Sequence, residues 1–351
     1  MSTAAGRPRP AWKVWAVVAV LVIVVAGLLH AYRNTNVLTD DRLCGGLVST
    51  AKADVVLPGS GRLDAEGDGL ADDLKDTVCE VEKSAIVLGS GKGTLTVRVW
   101  EEDGDAPLAH EAWPQLSEES FFSGKVTGGV DRYEGWVLLL EKCWTTQPVI
   151  VRANSTEPIS DARAFAALVT DTARAVAARA ACGELPEEPG TLLPPRSEAA
   201  RPVSEGRVCG LDGFSVRGQV PAGTEVLEAG QTAPADLWSC TLFLDDDSRG
   251  PVRADGFMTY TASRDPLLIA AVKKSPGTSK GEAPDGREAD VVDPQRIVLP
   301  CAQGDLYLAA ESGLQYLEAR KRHPDLPRRD SYFESFVKSA TETFDCGTAA
   351  R

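Results

Sequence analysis

Residues 184–206 read ELPEEPGTLLPPRSEAARPVSEG and divide the 351-residue chain into two parts. This segment holds five prolines and five glutamates, a composition that favours an extended, solvated linker. Four cysteines precede it and four follow it: Cys44, Cys79, Cys143 and Cys182, then Cys209, Cys240, Cys301 and Cys346. The stretch therefore predicts two modules of similar size, with the linker keeping their cores apart.

The cysteine spacing indicates that the second module repeats the first. Successive gaps are 35, 64 and 39 residues before the linker, and 31, 61 and 45 residues after it. Each copy opens and closes with a Cys-Gly dipeptide, which begins at Cys44 and Cys182 in the first copy and at Cys209 and Cys346 in the second. We therefore predict a duplication, with module 1 at 39–183 and module 2 at 207–347.

An uncharged stretch near the N-terminus predicts a membrane-spanning helix over residues 14–32. These 19 residues would span about 28 Å as a helix, close to the hydrocarbon thickness of a bilayer. Arg7, Arg9 and Lys13 precede them, so the positive-inside rule puts residues 1–13 in the cytoplasm. The alternative is a cleaved secretory signal, but the stretch is long for one and lacks a good cleavage site. We predict a single-pass plasma-membrane protein with its C-terminus outside the cell.

Cysteines on the outer side of a membrane are expected to pair as disulfides. Confinement to the two modules reduces the 105 possible pairings of eight cysteines to nine. The pairs that we prefer are Cys44–Cys79, Cys143–Cys182, Cys209–Cys240 and Cys301–Cys346. A closing helix packed on a sheet can bring its end to a hairpin turn, which favours the second pair in each module. No cysteine or histidine spacing is typical of a metal site, so no metal is expected.

The pattern of each module predicts antiparallel strands followed by one amphipathic helix. We expect the closing helices to begin at the N-caps Ser160 and Asp330. Runs of antiparallel strands with helices at their ends are typical of the α+β class. The predicted fold is an N-terminal transmembrane helix followed by two duplicated antiparallel-sheet modules, each closed by a C-terminal helix and stapled by disulfides.

The order of features in each module resembles secreted domains of unknown function in actinobacterial lipoproteins and membrane-anchored envelope proteins. Those features are an opening Cys-Gly in a short helix, a second cysteine that enters the first strand, hairpins and a terminal helix. The preferred pairing of the first and second cysteines agrees with that pattern. The chain lacks a lipid-attachment motif, so the helix is expected to be the anchor. The resemblance implies no catalytic residues.

The charge balance argues against nucleic acid as a partner. Lys+Arg is 37 and Asp+Glu is 51, for a net charge of −14. The first 33 residues contain no acid, so the rest of the chain is more acidic still. Such a body repels phosphate backbones and anionic lipid headgroups.

Two loops resemble ligand-binding motifs but depart from them. Residues 89–94 read GSGKGT, and Gly91-Lys92 could match the Gly-Lys of a phosphate-binding loop. That motif needs glycine where Ile86 stands and serine or threonine where Gly93 stands, so a glycine-rich turn is expected instead. The acidic stretch from Asp64 to Asp72 resembles a calcium loop, but Lys75 stands where a bidentate glutamate belongs. We expect a solvated acidic loop there and leave weak calcium binding open.

No arrangement of residues predicts catalysis. The chain has three histidines: His30, His110 and His323. Of these, His110 alone is a fair candidate for a general base, and no G-x-S-x-G or H-E-x-x-H motif occurs. Acidic residues such as Glu101, Glu102 and the run 245–247 are abundant, so carboxylate chemistry on glycans stays open. We expect that these acidic residues simply form a solvated surface.

These observations predict a single-pass, membrane-anchored envelope protein whose extracytoplasmic tandem modules form a non-enzymatic binding ectodomain. The alternative is an extracytoplasmic enzyme that acts on cell-envelope glycan through acidic residues. The expected partners are the membrane, through the helix, and another envelope protein or a cell-wall component. Neither a nucleic acid partner nor a cofactor is expected. Two modules on a linker suit binding through two sites.

Overall fold

The computed structural model describes residues 11–67, 69–70, 74, 76–84, 93–108, 118–193, 200–204, 206–216, 218–231, 233–245 and 256–347. Within these ranges the strands form two large antiparallel sheets and two small hairpins. One large sheet is formed by strands that precede the linker in the sequence, and the other mainly by strands that follow it. The result is a mixed, sheet-rich fold with four disulfides.

The first helix, α1, spans Ala11–Asn34. No helix in the described ranges is both long and apolar enough to cross a membrane, so the predicted transmembrane helix over 14–32 is wrong. The predicted fold class, which includes that helix, and the predicted single-pass localisation in the plasma membrane are corrected accordingly.

Sheet 1 has seven strands. A hairpin of β1 (Arg42–Leu43) and β2 (Val48–Ser49) and the helix α2 (Thr50–Val56) come before it. Its strands are β3 (Arg62–Glu66), β4 (Thr77–Ser84), β5 (Gly93–Glu101), β6 (Ser120–Phe122), β7 (Thr127–Val130), β8 (Glu134–Leu138) and β9 (Val149–Ser155). The helix α3 (Ala162–Arg179) follows. Across the sheet the order is β3-β4-β5-β9-β8-β7-β6.

Sheet 2 has eight strands. They are β10 (Arg201–Pro202), β13 (Glu225–Gly230), β14 (Leu237–Asp245), β15 (Met258–Ser263), β16 (Ser279–Glu282), β17 (Glu288–Asp293), β18 (Arg296–Leu299) and β19 (Leu306–Ser312). The hairpin of β11 (Arg207–Val208) and β12 (Leu211–Asp212) separates β10 from β13. The helices are α4 (Pro266–Lys274), α5 (Leu314–Arg322) and α6 (Arg329–Thr343). The order is β10-β13-β14-β15-β19-β18-β17-β16.

Apart from β10, the two sheets have the same strand order. A glycine also lies beside the second cysteine of each half. Gly230 pairs with Cys240, and a Cβ there would lie 2.6 Å from the Cys240 Cα. Gly67 lies beside Cys79, and a Cβ there would lie 2.5 Å from the Val78 carbonyl oxygen. Both glycines have positive φ, so backbone conformation and close approach each require glycine.

A long helix covers one face of each sheet, α3 on sheet 1 and α6 on sheet 2. The N-cap of α3 is Asp161, whose carboxylate accepts a hydrogen bond from the Ala164 N–H at 2.9 Å. The prediction of Ser160 is therefore wrong by one residue. The N-cap position of α6 is Arg328, and the predicted cap Asp330 lies in the first turn. A carboxylate there still interacts favourably with the helix dipole.

The other face of sheet 1 packs against the second half of the chain. One buried apolar cluster contains Trp136 of sheet 1 and Leu268 of α4. The linker takes part in this contact, because Leu193 packs on the cluster and donates a hydrogen bond to the Phe121 carbonyl at 2.8 Å. The expectation that the linker keeps the two cores apart is therefore wrong, since a shared core lies between the sheets.

Gly230→Ala should destabilise the protein by about 2–4 kcal/mol, because the new methyl group meets the Cys240 backbone at an unfavourable φ. The control is Gly213→Ala, because Gly213 also has positive φ but nothing lies within 4 Å of its Cβ position. The control should cost about 1 kcal/mol. Urea unfolding of both variants measures the difference, and equal losses would contradict the role of the close approach.

Candidate functional site

Four disulfides join the cysteines in the described part of the chain: Cys44–Cys79, Cys143–Cys182, Cys209–Cys240 and Cys301–Cys346. Their Cα–Cα distances are 5.8, 4.9, 6.0 and 4.8 Å, which suit disulfide geometry. In each half, one bond ties the opening hairpin to a central strand. The other ties the end of the closing helix to a turn of the sheet. The predicted disulfide pairing is confirmed.

The strand β10 belongs to the linker and is called the linker strand below. A groove of about 880 Å³ lies beside it at one edge of sheet 2. Three separate segments line it, at 202–208, 215–226 and 323–327. The aliphatic side chains among them are Val203, Val208, Val216, Val220, Val226 and Leu326. Prolines, glycines and polar side chains supply the remaining lining, so the groove presents polar and apolar surface in about equal parts.

The groove forms where β10 leaves β13. The two strands pair at two positions, and Val203 then donates one more hydrogen bond to the Val226 carbonyl at 3.0 Å. After Val203 the chain turns into the β11–β12 hairpin, with a bridge between Ser204 and Arg207. A space therefore opens between the departing strand and the start of β13.

Two tyrosines hold the walls of the groove. The Tyr316 hydroxyl donates to the Pro327 carbonyl at 3.1 Å and fixes the segment that follows α5. The Tyr332 hydroxyl donates to the Gln219 carbonyl and fixes the segment that precedes β13. Both rings belong to the aromatic core beneath α6, so the walls are anchored to the rigid part of sheet 2.

Charged and ionisable side chains of the groove are open to solvent. His323, Asp325 and Glu225 line it and are exposed. The sequence singled out neither His323 nor the valines as members of a groove. Those valines come from segments that are distant along the chain, and no local pattern brings them together.

Asp105 is fully buried between the two sheets. Its Oδ2 atom accepts hydrogen bonds from the Arg296 guanidinium at 3.0 Å and from the Tyr307 hydroxyl at 3.1 Å. Burial, and then the charge of Asp105, raise the pKa of Tyr307 well above its ordinary value. The phenol therefore stays protonated, and the three groups form a structural link across the contact.

Asp265 forms a second link across the same contact. Its carboxylate caps α4 by accepting the Leu268 N–H at 2.8 Å, and it accepts the Thr127 hydroxyl of sheet 1 at 2.8 Å. Burial raises the pKa of Asp265 above its ordinary value. This carboxylate is occupied by packing contacts and does not line the groove.

The predicted acidic pair Glu101 and Glu102 is divided between different partners. Burial acts to raise the pKa of Glu101, but hydrogen bonds from Thr145 and Thr146 lower it to about 2. Glu102 forms an ion pair with Arg152 at 2.7 Å. Arg152 also pairs with Glu134 on the neighbouring strand. These carboxylates therefore neutralise and orient neighbouring side chains.

Other residues considered from the sequence lie outside the described residues. These are His110, most of the 89–94 loop, Asp72 and Lys75 of the acidic stretch, and the acids at 246 and 247. Asp64, the first acid of the stretch that resembles a calcium loop, is exposed in strand β3. Within the described ranges, no three His, Cys, Asp or Glu side chains are grouped so that they could hold a metal ion.

Comparison with models of known protein families, with curated proteins and with solved structures finds no match to this chain.

Asp131→Asn should change how stability depends on pH. Burial raises the pKa of Asp131 from 3.8 to about 6, so the folded protein favours the neutral carboxyl. The resulting stabilisation is present below about pH 4 and is lost as the pH rises through 6.

The amide oxygen of the variant can accept the same bonds from the Tyr133 and Glu134 N–H groups, and the amide does not titrate. The free energy of unfolding of the variant minus that of wild type should therefore be about 2–3 kcal/mol larger at pH 8 than at pH 4, so the variant gains relative stability as the pH rises. Urea unfolding at both pH values tests this, and a constant difference would contradict it.

Proposed function

We propose that the chain is a non-enzymatic binding protein of an extracytoplasmic compartment, and that its partner is another envelope protein. In this proposal an extended segment of the partner that carries both apolar and polar side chains occupies the groove beside the linker strand. The observation that carries the proposal is the groove itself, with about 880 Å³ of space and a lining in which valines alternate with polar groups. Ligand sites commonly have volumes of roughly 300–1,000 Å³.

The location of the groove supports an extended occupant. Residues 201–203 already lie along β13 as an added strand, and the groove continues from the point where they depart. Its walls are held by tyrosine hydrogen bonds, so an occupant meets a preformed surface. Preformed surfaces lose less conformational entropy on binding.

The carboxylates support binding over hydrolysis. Asp105, Asp265 and Glu102 each make structural bonds to neighbouring side chains. Glycosidases need two carboxyl groups that face one substrate bond across a gap of roughly 5–9.5 Å. The acids that line the groove, Glu225 and Asp325, are exposed side chains. The four disulfides fit an oxidising compartment.

Site-specific crosslinking in cells tests this proposal. A photo-reactive phenylalanine replaces Ala222, which is exposed and lines the groove. The matched control carries it at Ala302, an exposed position in a distant turn. One envelope protein should crosslink from position 222 and not from position 302.

The purified partner then provides the quantitative measurement. Ala222→Trp places a large ring over the groove and should weaken binding at least about tenfold, whereas Ala302→Trp should leave the Kd unchanged. Identical crosslinks from both positions would overturn the proposal, and so would full affinity in Ala222→Trp. Crosslinking to cell-wall polymer instead of protein would assign the groove to a different class of partner.

A further inference from the structure

The two large sheets have four edges, and the chain itself protects three of them. At β3, the Leu63 N–H donates to the Asn36 side chain at 2.7 Å. At β6, the Phe121 carbonyl accepts from Leu193 at 2.8 Å. At the third edge, β10 covers β13 with only two residues, of which Pro202 has no N–H to offer. Such protection prevents a sheet from adding foreign strands.

The fourth edge is β16, and it differs from the other three. Its residues Ser279, Lys280 and Glu282 are exposed, and within the described residues its only strand partner is β17. The hairpin closes with a bond from the Ala283 N–H to the Arg287 carbonyl. Bonding alternates along an antiparallel ladder, so Gly281 bonds to β17 while Lys280 and Glu282 turn their N–H and C=O groups outward. Two donors and two acceptors therefore face away from the sheet.

We propose that β16 pairs with β16 of a second copy of this chain, antiparallel and symmetric about Gly281. In this register Lys280 of each copy lies opposite Glu282 of the other. Both residues have outward-facing backbone groups, so each pair exchanges two hydrogen bonds and the contact has four. The two sheets then join into one continuous sheet across the twofold axis.

The charges select this register over its neighbours. A shift toward the N-terminus would place Lys280 opposite Lys280, and a shift toward the C-terminus would place Glu282 opposite Glu282. Each of those registers has like charges at its centre and fewer backbone bonds. Directly opposed side chains attract or repel according to charge, so the symmetric Lys–Glu register is the complementary one.

Charges on the neighbouring strand β17 also favour the symmetric register. Glu282 lies directly opposite Glu288 within its own hairpin, which is an unfavourable pair. A Lys280 from the second copy would lie on the other side of Glu282 and offset that repulsion. Lys280 itself forms an ion pair with Asp290 at 2.6 Å, which holds its side chain on the face where the pairs form.

The small size of the contact indicates a reversible dimer. Stable interfaces usually bury more than about 1,000 Å², and a four-residue strand pair buries much less. Pro284 follows the strand closely and has no N–H with which to extend it. We therefore expect monomer at low concentration and dimer at high concentration.

Charge reversal tests the register on the full chain by sedimentation equilibrium across a range of concentrations. Lys280→Glu and Glu282→Lys should each weaken self-association at least about tenfold, because each places like charges in both pairs. The double variant K280E/E282K should restore it. An equimolar mixture of the two single variants should form a heterodimer, since both of its pairs are again Lys–Glu.

A backbone variant separates strand pairing from general electrostatics. Lys280→Pro removes an outward N–H and leaves the bonds of Ser279 and Gly281 to β17, so it should abolish the dimer while thermal unfolding stays close to wild type. A protein that remains monomeric at about 1 mM would overturn the proposal. A dimer that is unaffected by Lys280→Pro, or single variants that fail to re-associate when mixed, would overturn it as well.

Discussion

The arrangement of this protein depends on the buried contact between its two sheets. At its centre α4 lies so close to the 103–105 turn that a Cβ on Gly104 would be 2.3 Å from the Ala271 carbonyl carbon. The Gly104 N–H donates to the Ser275 hydroxyl at 2.6 Å, and Asp105 continues the contact to Arg296. A buried apolar cluster surrounds these bonds. Because charged and hydrogen-bonded groups there are paired, the contact fixes the orientation of one sheet relative to the other.

The path of the linker follows from this contact. A linker between independent modules would be free to adopt many conformations, but here its two ends are bound to opposite sheets. Leu193 extends the edge of β6, and Arg201 with Pro202 extends the edge of β13. The same path opens the groove, because the linker strand must leave β13 in order to form the next hairpin. Edge protection and the candidate binding surface therefore arise from one segment.

The acidic residues have two different roles in the fold. Some carboxylates are buried and hold elements together, as Asp105 and Asp265 do between the sheets. Others, such as Glu225 and Asp325, are exposed at the groove. Net charge alone does not separate these roles, since a buried carboxylate contributes through its specific partners and an exposed one through the long-range field. The groove binds a partner, in our proposal, through both its valines and its polar groups.

The sequence by itself determined the disulfide pairing, because cysteine spacing reflects a repeated order of strands and a closing helix. It failed for α1, because no helix among the described residues is long and apolar enough to cross a membrane. It failed again for the linker, because composition reports a preference for extended chain and not what that chain contacts.

Only the tertiary structure decided that the two halves share a core and that a groove opens beside the linker strand. Both features depend on residues that are far apart in the chain, such as Trp136 with Leu268, or Val203 with Leu326. Local periodicity records which face of a strand is apolar, but it does not record which surface that face will meet. That choice is made by the complementary shapes and paired charges of whole sheets, which exist only once each half has folded.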